Sequence, residues 1–452
     1  MIHCSTSPMH FDSMHDFQST SPVYRTIITS LLLVAVLAGP GSTVAQDLVI
    51  RAGHLVDVES GSILEDQEIV VREGIIDRVG PWRDGAVGAR EESLLDLSER
   101  YVLPGLFDTH THMSLVVDRK KDGGNFFVTS LLDNTPYRAI QGVANARDML
   151  AAGFTTIRDV GNSGNYGDTA LKTAITEGLV PGPTMHTAGR IIAPFGGQFF
   201  LQPEKRALGE PEYFYADTPG EIRKAVRENL HFGADFIKIV VDDQRYIYSV
   251  DEIRLFVEEA RRAGTYISAH CWTEQGARNA IAAGVHSIEH GPYMPNDVLE
   301  DARKAGVWIV GTEFTVEGLA QSFTGDDLSA IEAEHEAFVD RLRRAHALGV
   351  PYVFGSDIVY AKEGETRSSL TFTILDSFRK AGIPPADQLR AMTLSASRMM
   401  GLDGQRGLVK TGWAADIVAM PANPLDDTRA LEAIDVVIKD GRLFRHADRI
   451  GY

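Results

Sequence analysis

Two histidines at alternate positions, His110 and His112, follow an apolar run, residues 101–107, that is typical of a β-strand interrupted at Pro104-Gly105. In an extended segment residues i and i+2 point to the same side, so both imidazoles can converge on one point. Two neutral imidazoles that converge in this way form half of a typical site for a divalent metal ion. Because His-X-His also occurs in purely structural settings, the rest of the sequence must decide between the two roles.

Four further side chains that can bind metal end apolar runs later in the chain, namely Lys238, His270, His290 and Asp357. A lone ammonium is costly to bury, and a buried lysine can lose its proton and react with carbon dioxide to give a carbamate that bridges two cations. An aspartate at a strand end can bind metal and accept the proton of an attacking water. The alternatives are an exposed or paired lysine and structural histidines.

The elements that must position these side chains alternate between short apolar runs and helical stretches, which indicates a parallel sheet with crossover helices. The clearest helical stretches are residues 218–232, 251–263 and 332–348. Eight candidate strands end near His112, Asp159, Arg190, Lys238, His270, His290, Glu313 and Asp357. The sequence therefore predicts an α/β fold, a (β/α)8 TIM-like barrel whose chemistry lies at the carboxyl ends of its strands.

Both ends of the chain have a different texture, with short β-like runs separated by turn residues, at 47–51, 68–71, 75–79, 415–420 and 435–442. Neither end has enough strands to close a core alone, so we predict one small β-sandwich built from both termini. The predicted boundaries are 1–45 for a signal peptide and leader, 46–103 and 401–452 for the two parts of the sandwich, and 104–400 for the barrel.

The composition describes an ordinary soluble globular chain, and a net charge of −18 argues against nucleic acid or an anionic membrane as a partner. Residues 27–38 form an apolar run after Arg25 that is too short to span a bilayer and fits a secretory signal cleaved after Ala45. An uncleaved anchor is the alternative. After cleavage we expect a secreted or periplasmic chain with no stable membrane insertion. The cysteines are Cys4 and Cys271, and Cys4 would leave with the signal, so the mature chain would have no internal disulfide.

The six metal-binding side chains and the segment Pro104-Gly-Leu-Phe-Asp-Thr-His-Thr-His112 resemble the amidohydrolase superfamily, binuclear metal subtype, over nearly all of the chain after Ala45. The resemblance implies two divalent ions, in the first instance zinc, with carboxylated Lys238 and a metal-activated hydroxide between them. It implies that His110, His112 and Asp357 hold one ion and that His270 and His290 hold the other. It also implies that Asp357 passes a proton to the leaving amine.

A second stretch, residues 269–278, is similar to the imidazolonepropionase-like branch that contains Xaa-Pro dipeptidases and related metallo-carboxypeptidases. This resemblance implies that Arg278 holds a substrate α-carboxylate and that Trp272 occupies the position of a tyrosine that contacts the substrate carbonyl. Gln198 stands where many relatives carry a histidine after two glycines, and its amide can still donate to an oxyanion. Tyr246 is a further candidate for the pocket, and the alternative for Arg278 is a solvated helix residue with an acidic neighbour.

The predicted activity is hydrolysis of the amide bond before a C-terminal amino acid, in a dipeptide or an N-acyl amino acid, with ochratoxin-like amides as one possible substrate. Two alternatives stay open: a hydrolase of cyclic amides of the imidazolone or hydantoin type, and a non-catalytic metal-binding protein. A serine hydrolase is poorly supported because the sequence contains no G-x-S-x-G motif. The partner is a small-molecule or dipeptide substrate, and the resemblance further implies a homo-oligomer.

Overall fold

The computed structural model describes residues 47–83, 94–322, 327–447 and 449–450. The predicted signal peptide and its cleavage site lie outside the described residues. Of the helices within these ranges, none combines the length and the apolar character that a membrane crossing requires.

The strands within these ranges are β1 (Leu48–Asp57), β2 (Ser62–Arg72), β3 (Ile75–Pro81), β4 (Leu94–Pro104), β5 (Leu106–Thr111), β6 (Phe154–Asp159), β7 (Thr184–Thr187), β8 (Ile191–Ala193), β9 (Tyr213–Tyr215), β10 (Ile237–Val240), β11 (Ile267–Cys271), β12 (Ser287–His290), β13 (Trp308–Val310), β14 (Tyr352–Val353), β15 (Ile417–Met420), β16 (Val436–Lys439), β17 (Arg442–His446) and β18 (Arg449–Ile450). The helices are α1 (Arg119–Asp122), α2 (Phe126–Leu132), α3 (Thr135–Ala151), α4 (Gly167–Thr176), α5 (Pro219–His231), α6 (Val250–Arg262), α7 (Glu274–Ala283), α8 (Asn296–Ala305), α9 (Val316–Ser322), α10 (Leu328–Leu348), α11 (Arg367–Thr373), α12 (Leu375–Lys380), α13 (Pro385–Ala391) and α14 (Leu394–Met399), with 3-10 helices at Pro203–Leu208 and Thr428–Ala433.

The two ends of the chain share one sheet, in the order β18-β17-β16-β15-β4-β1-β2-β3. The join is the antiparallel pair β4 and β15, in which Leu103 lies opposite Val418 and Pro104 opposite Ile417. Apolar residues from both ends, among them Ile50, Val102 and Ile417, are buried together beside it. The termini therefore meet as the sequence predicts, while a second layer that would make this sheet a sandwich stays a prediction.

The central part of the chain forms two parallel sheets, β14-β13-β12-β11-β10-β8-β9 and β5-β6-β7. The predicted mixed α/β fold with parallel strands is thus confirmed. Backbone hydrogen bonds also link β5 to the segment after β14, from Thr109 N to Phe354 O (3.1 Å) and from Asp357 N to His110 O (2.8 Å). Closure of the two sheets into a barrel stays a prediction.

The break between β4 and β5 has a steric cause at Gly105. A Cβ atom added there would lie 2.2 Å from the Thr155 hydroxyl oxygen, so no side chain fits where β5 begins beside β6. The bend at the predicted Pro-Gly step allows β4 to belong to the sheet of the termini and β5 to the sheet that carries the histidines.

The three helices that the sequence indicated most clearly are α5, α6 and α10, within a few residues of their predicted bounds. Both α5 and α6 begin at a capping box, Thr218 with Glu221 and Ser249 with Glu252, which satisfies backbone N–H groups of the first turn. Ile253 and Phe256 of α6 are buried in the same cluster as Ile239 of β10. This packing fixes the strand that carries Lys238.

Candidate metal centre

All six predicted metal ligands line a single cavity at the carboxyl ends of the parallel strands. The cavity has a volume of about 340 Å³. Its lining residues are His110, His112, Leu115, Val117, Phe126, Asn162, Ile191, Gln198, Lys238, Asp243, His270, Trp272, His290, Phe314, Asp357 and Val359.

The four imidazoles stand next to one another although they come from three strands. The ring centroids of His110 and His112, both at the end of β5, are 5.4 Å apart. His290 at the end of β12 lies 5.0 Å from His110 and 4.5 Å from His270 of β11. The predicted convergence of the strand-end histidines is therefore present in the structure.

His110 is oriented by a buried carboxylate that the sequence reasoning did not assign. Its Nδ1 donates to Glu289 Oε2 at 2.7 Å, and Glu289 also accepts from Arg158 Nη2 at 2.7 and 2.8 Å. Burial raises the pKa of Glu289, but the Arg158 guanidinium and His110 outweigh it and hold the pKa well below its usual range. Ionised Glu289 thus fixes the His110 proton on Nδ1 and leaves Nε2 as an acceptor.

His112 and His290 are held by neutral partners. His112 Nδ1 donates to the carbonyl oxygen of Gly161 at 2.7 Å, and His290 Nδ1 shares a hydrogen bond of 2.8 Å with Thr312 Oγ1. Each of these rings, like that of His110, therefore has Nδ1 engaged, and Nε2 is its remaining ring nitrogen.

The positions of these nitrogens relative to Asp357 fit a bound cation. His110 Nε2 lies 3.7 Å and His112 Nε2 3.3 Å from Asp357 Oδ1. Burial lowers the pKa of His110 to about 4, so this ring is neutral at pH 7 and presents a lone pair toward a carboxylate oxygen. Ligand atoms of His110, His290 and Asp357 lie within 4.8 Å of one another. Two acceptors that face each other are stabilised by a divalent ion between them, and this nitrogen and oxygen set suits one.

Lys238 lies within β10 rather than at its end, with its side chain 2% exposed. Burial lowers the pKa of this amine to about 8, while Glu289 and Asp357 oppose the shift. A larger fraction of this amine is therefore neutral at pH 7 than in an exposed lysine, which is the form that a carbamate requires.

His270 is bound through Nε2 to a carboxylate outside the six predicted ligands, since this nitrogen donates to Asp243 Oδ1 at 2.9 Å. Asp243 follows β10 and lines the cavity, yet the sequence reasoning did not single it out. The signal that could have found it is the acidic pair Asp242-Asp243 directly after the apolar run that contains Lys238.

Two of the four predicted substrate-binding residues, Trp272 and Gln198, line the cavity, and two do not. Arg278 turns to the surface, where its Nη2 lies 2.7 Å from both Glu274 Oε1 and Asp297 Oδ2. Tyr246 is 49% exposed and its hydroxyl donates to Glu252 at the start of α6. The structure therefore corrects the predicted placement of Arg278 and Tyr246 in the pocket.

The physical reason for the Arg278 correction is the orientation of α7. Gly276, Ala277 and Ala280 are buried and mark the face of α7 that packs inward. Because successive residues of a helix are rotated by about 100°, the residue after Ala277 points away from that face. The alternative interpretation, a solvated arginine with acidic neighbours, describes Arg278 in this structure.

The backbone adopts an unusual conformation where three strands of the site end. His290, Thr312 and Asp357 have positive φ angles of 69°, 48° and 50°. Residues with a Cβ pay roughly 1–3 kcal/mol each for such conformations, which persist where the surrounding structure enforces them and which cluster at functional sites. The cavity thus combines buried ionisable groups with local strain.

The chain is similar to one protein family, to several enzymes and to solved structures. The model of the amidohydrolase family matches residues 101–444. An ochratoxinase of Aspergillus niger is 27% identical, with 98% of this chain and 95% of the relative covered. An imidazolonepropionase of Symbiobacterium thermophilum is 23% identical, with 88% and 96% covered. The crystal structure of a Xaa-Pro dipeptidase with bound methionine in its active site matches with a TM-score of 0.77 and 26% identity, covering 88% of this chain and 100% of that one.

Proposed function

The chain belongs to the amidohydrolase family, and on that premise we propose that it is a metal-dependent hydrolase of the amide bond before an amino acid, in a dipeptide or an N-acyl amino acid. The observation that carries the proposal is the shared cavity of four histidines, Lys238 and Asp357. The ochratoxinase and the Xaa-Pro dipeptidase among the relatives support hydrolysis of such amides.

In this proposal two divalent ions, zinc in the first instance, occupy the cavity. His110, His112 and Asp357 would hold one ion, His270 and His290 the other, and Lys238, carboxylated by carbon dioxide, would bridge them. When bound, such ions supply a water of lowered pKa and polarise the substrate carbonyl. Glu289, the buried partner of His110, holds the proton of that ring on Nδ1 and keeps its Nε2 free of a proton.

Asp357 is the residue that moves the proton. Burial raises its pKa, but His110 and His112 outweigh burial and the net pKa lies below the usual value, so Asp357 is ionised at neutral pH. An ionised carboxylate in the cavity wall can accept the proton of the attacking water and deliver it to the leaving nitrogen. Trp272 lies beside His270 and His290 in the wall of the cavity.

The cavity wall favours substrates with bulky apolar or aromatic groups. Its apolar part consists of Leu115, Val117, Phe126, Ile191, Phe314 and Val359. Among the described lining residues there is no arginine, and carboxylation would remove the positive charge of Lys238. Apolar contact on both sides of the amide therefore contributes more to binding than recognition of a free carboxylate. Ochratoxin-like amides belong to this class.

The test is a substrate panel on purified, zinc-loaded protein, with N-acyl amino acids, apolar dipeptides, their methyl esters and hydantoins as members. We expect hydrolysis of the open-chain amides that chelation abolishes and zinc restores. Preferential turnover of hydantoins would favour a cyclic-amide hydrolase. Stoichiometric metal with no hydrolysis of any member would favour a non-catalytic metal-binding protein, and amide hydrolysis that survives complete removal of metal would refute the proposal.

Three properties of the whole chain complete the proposal. The parallel strands close into a (β/α)8 barrel over residues 104–400, and the sheet of the termini is part of a β-sandwich. Export through a signal cleaved after Ala45 brings the enzyme to the periplasm or the medium, which N-terminal sequencing of the secreted protein would test. Assembly into a homo-oligomer, measurable by light scattering, is also expected.

A further inference from the structure

A continuous chain of hydrogen bonds links the buried Tyr213 to the predicted metal ligand His270. The Tyr213 hydroxyl donates to Gln198 Oε1 at 2.6 Å. Gln198 Nε2 donates to Asp243 Oδ2, and Asp243 Oδ1 accepts from His270 Nε2 at 2.9 Å. Tyr213 lies on β9 and His270 on β11, whereas Gln198 follows β8 and Asp243 follows β10. These four strands are neighbours in one sheet. The chain thus runs along one wall of the cavity.

The chemistry of each member sets the direction of these bonds. An ionised carboxylate has acceptor oxygens only, so both His270 Nε2 and the Gln198 amide nitrogen must donate to Asp243. The Gln198 oxygen then faces Tyr213 and accepts the hydrogen bond from its hydroxyl. As a consequence His270 carries its proton on Nε2, and Nδ1 is the nitrogen with a free lone pair.

This arrangement changes the role of Gln198. Its oxygen and one N–H of its amide are taken up by Tyr213 and Asp243, which leaves a single N–H for any other partner. A second contact ties the two loops together, because Gln244 Nε2 donates to Gly197 O at 2.7 Å. Gln198 is therefore built into the wall of the site rather than held free for the substrate.

We propose that Tyr213, Gln198 and Asp243 are positioning residues that hold His270 in one tautomer and so set the affinity of the site for one of its two metal ions. The inference rests on the proposed function, since it requires that His270 binds metal. It replaces the expectation that Gln198 donates to an oxyanion of the substrate.

Asp242 does not belong to this chain of hydrogen bonds although its carboxylate lies near the Asp243 carboxylate and the His270 imidazole. Its oxygens accept from Trp272 N at 2.8 Å, Thr273 N at 2.7 Å and Thr273 Oγ1 at 2.6 Å. It therefore fixes the start of α7, and Asp243 alone connects Gln198 with His270.

The experiment measures zinc bound per chain as a function of free zinc in chelator-buffered dialysis, for the full-length protein and four variants. Wild type is expected to bind two ions. Asp243→Ala should lose affinity for one of them by about 10–100-fold, the usual effect of removing the partner of a metal-binding histidine. Gln198→Leu and Tyr213→Phe should lose about 3–10-fold at the same ion, because they act through Asp243. Excess zinc should restore the kcat of Gln198→Leu.

Gln244→Leu is the matched control, since it removes a glutamine contact to the same loop without touching Asp243, and its zinc affinity should stay within about twofold of wild type. Tyr213→Phe keeps the buried ring and deletes only a hydroxyl, so it remains informative if Gln198→Leu fails to fold. Normal zinc affinity with reduced kcat in Gln198→Leu would restore its role as a substrate donor and overturn the inference. An affinity loss in Asp243→Ala that neither Gln198→Leu nor Tyr213→Phe shares would also overturn it, because Asp243 would then act alone. Absence of zinc binding by wild type would instead refute the proposed function.

Discussion

The two sides of the cavity hold their histidines in different ways. On the inner side, which comprises His110, His112, His290 and Asp357, the partner of His110 is Glu289, which is fully buried and paired with the equally buried Arg158. On the outer side, which comprises Lys238, His270, Asp243 and Gln198, the partner of His270 is Asp243, whose side chain is 24% exposed and lies on a loop. Burial strengthens polar networks and makes their disruption costly. Removing the partner of His110 is therefore expected to have a larger effect than removing the partner of His270.

The largest expected effect is at the inner side, in Asp357→Asn. Loss of the proton-transferring carboxylate should reduce kcat by about 10²–10⁴-fold while most of the metal is retained, because Asn keeps an oxygen ligand. Steady-state kinetics together with metal analysis of the same preparation measure both quantities. Unchanged turnover would show that Asp357 does not transfer the proton.

Glu289→Gln tests whether burial makes the inner partner more important than the outer one. The variant leaves the Arg158 guanidinium without a counter-charge and weakens the hold on His110, so zinc affinity should fall by about 10–100-fold and the protein should be less stable. Glu313→Gln is the matched control, because Glu313 forms an equally buried pair with Arg341 at 2.8 Å. It should lower the melting temperature but not the zinc affinity. Equal loss of zinc in both variants would mean that the effect is only one of stability.

Lys238 gives the outer side a dependence on pH. Burial lowers its pKa to about 8, so the neutral amine that can react with carbon dioxide increases as pH rises toward 8. At a constant concentration of dissolved carbon dioxide, the rate at which metal-free protein recovers activity in zinc should therefore rise about tenfold per pH unit below 8 and level off above it. Stopped-time activity assays after rapid reconstitution measure this rate. A rate that is independent of both pH and bicarbonate would argue against a carbamate on Lys238.

The smallest effect is expected at Arg278, which belongs to neither side of the cavity. Since Arg278 lies on the surface in contact with Glu274 and Asp297, Arg278→Ala should change kcat/KM by less than about twofold on free-carboxylate and esterified substrates alike. Parallel assays of an N-acyl amino acid and its methyl ester test this. A selective loss on the free acid would reinstate Arg278 as a contact to the substrate carboxylate.

The sequence was sufficient for the inner side because its ligands stand at strand ends, where the alternation of a strand fixes the direction of a side chain. The convergence of His110 and His112 on one point follows from that rule, and the other strand-end ligands are needed to indicate a metal site. The role of Glu289 is harder to predict. Its charge within the buried strand Ser287–His290 indicates a buried partner, but that partner, Arg158, is distant in the sequence and only the fold brings the two together. Their pairing is a tertiary property.

On the outer side, the sequence does not predict the contacts that depend on loop conformation or on the rotation of a helix about its axis. Asp243 points to His270 because its loop is tied to the segment of Gln198, a contact between regions about 45 residues apart that no local pattern encodes. Arg278 was assigned to the pocket by analogy, although the buried small residues of α7 could have placed it on the opposite face. Spacing from a ligand thus predicts an approximate location, and the orientation of the carrying element decides the contact.

The junction between β4 and β15 has a consequence for how the protein is made. β4 runs directly into the strand of His110 and His112, and it is flanked by a strand from near the carboxyl end, with Gly105 N also donating to Asp416 O at 2.9 Å. A chain still emerging from the ribosome lacks this flank although all six candidate ligands have already been synthesised. We therefore expect a chain truncated ahead of Ile417 to bind zinc poorly although it retains all six candidate ligands.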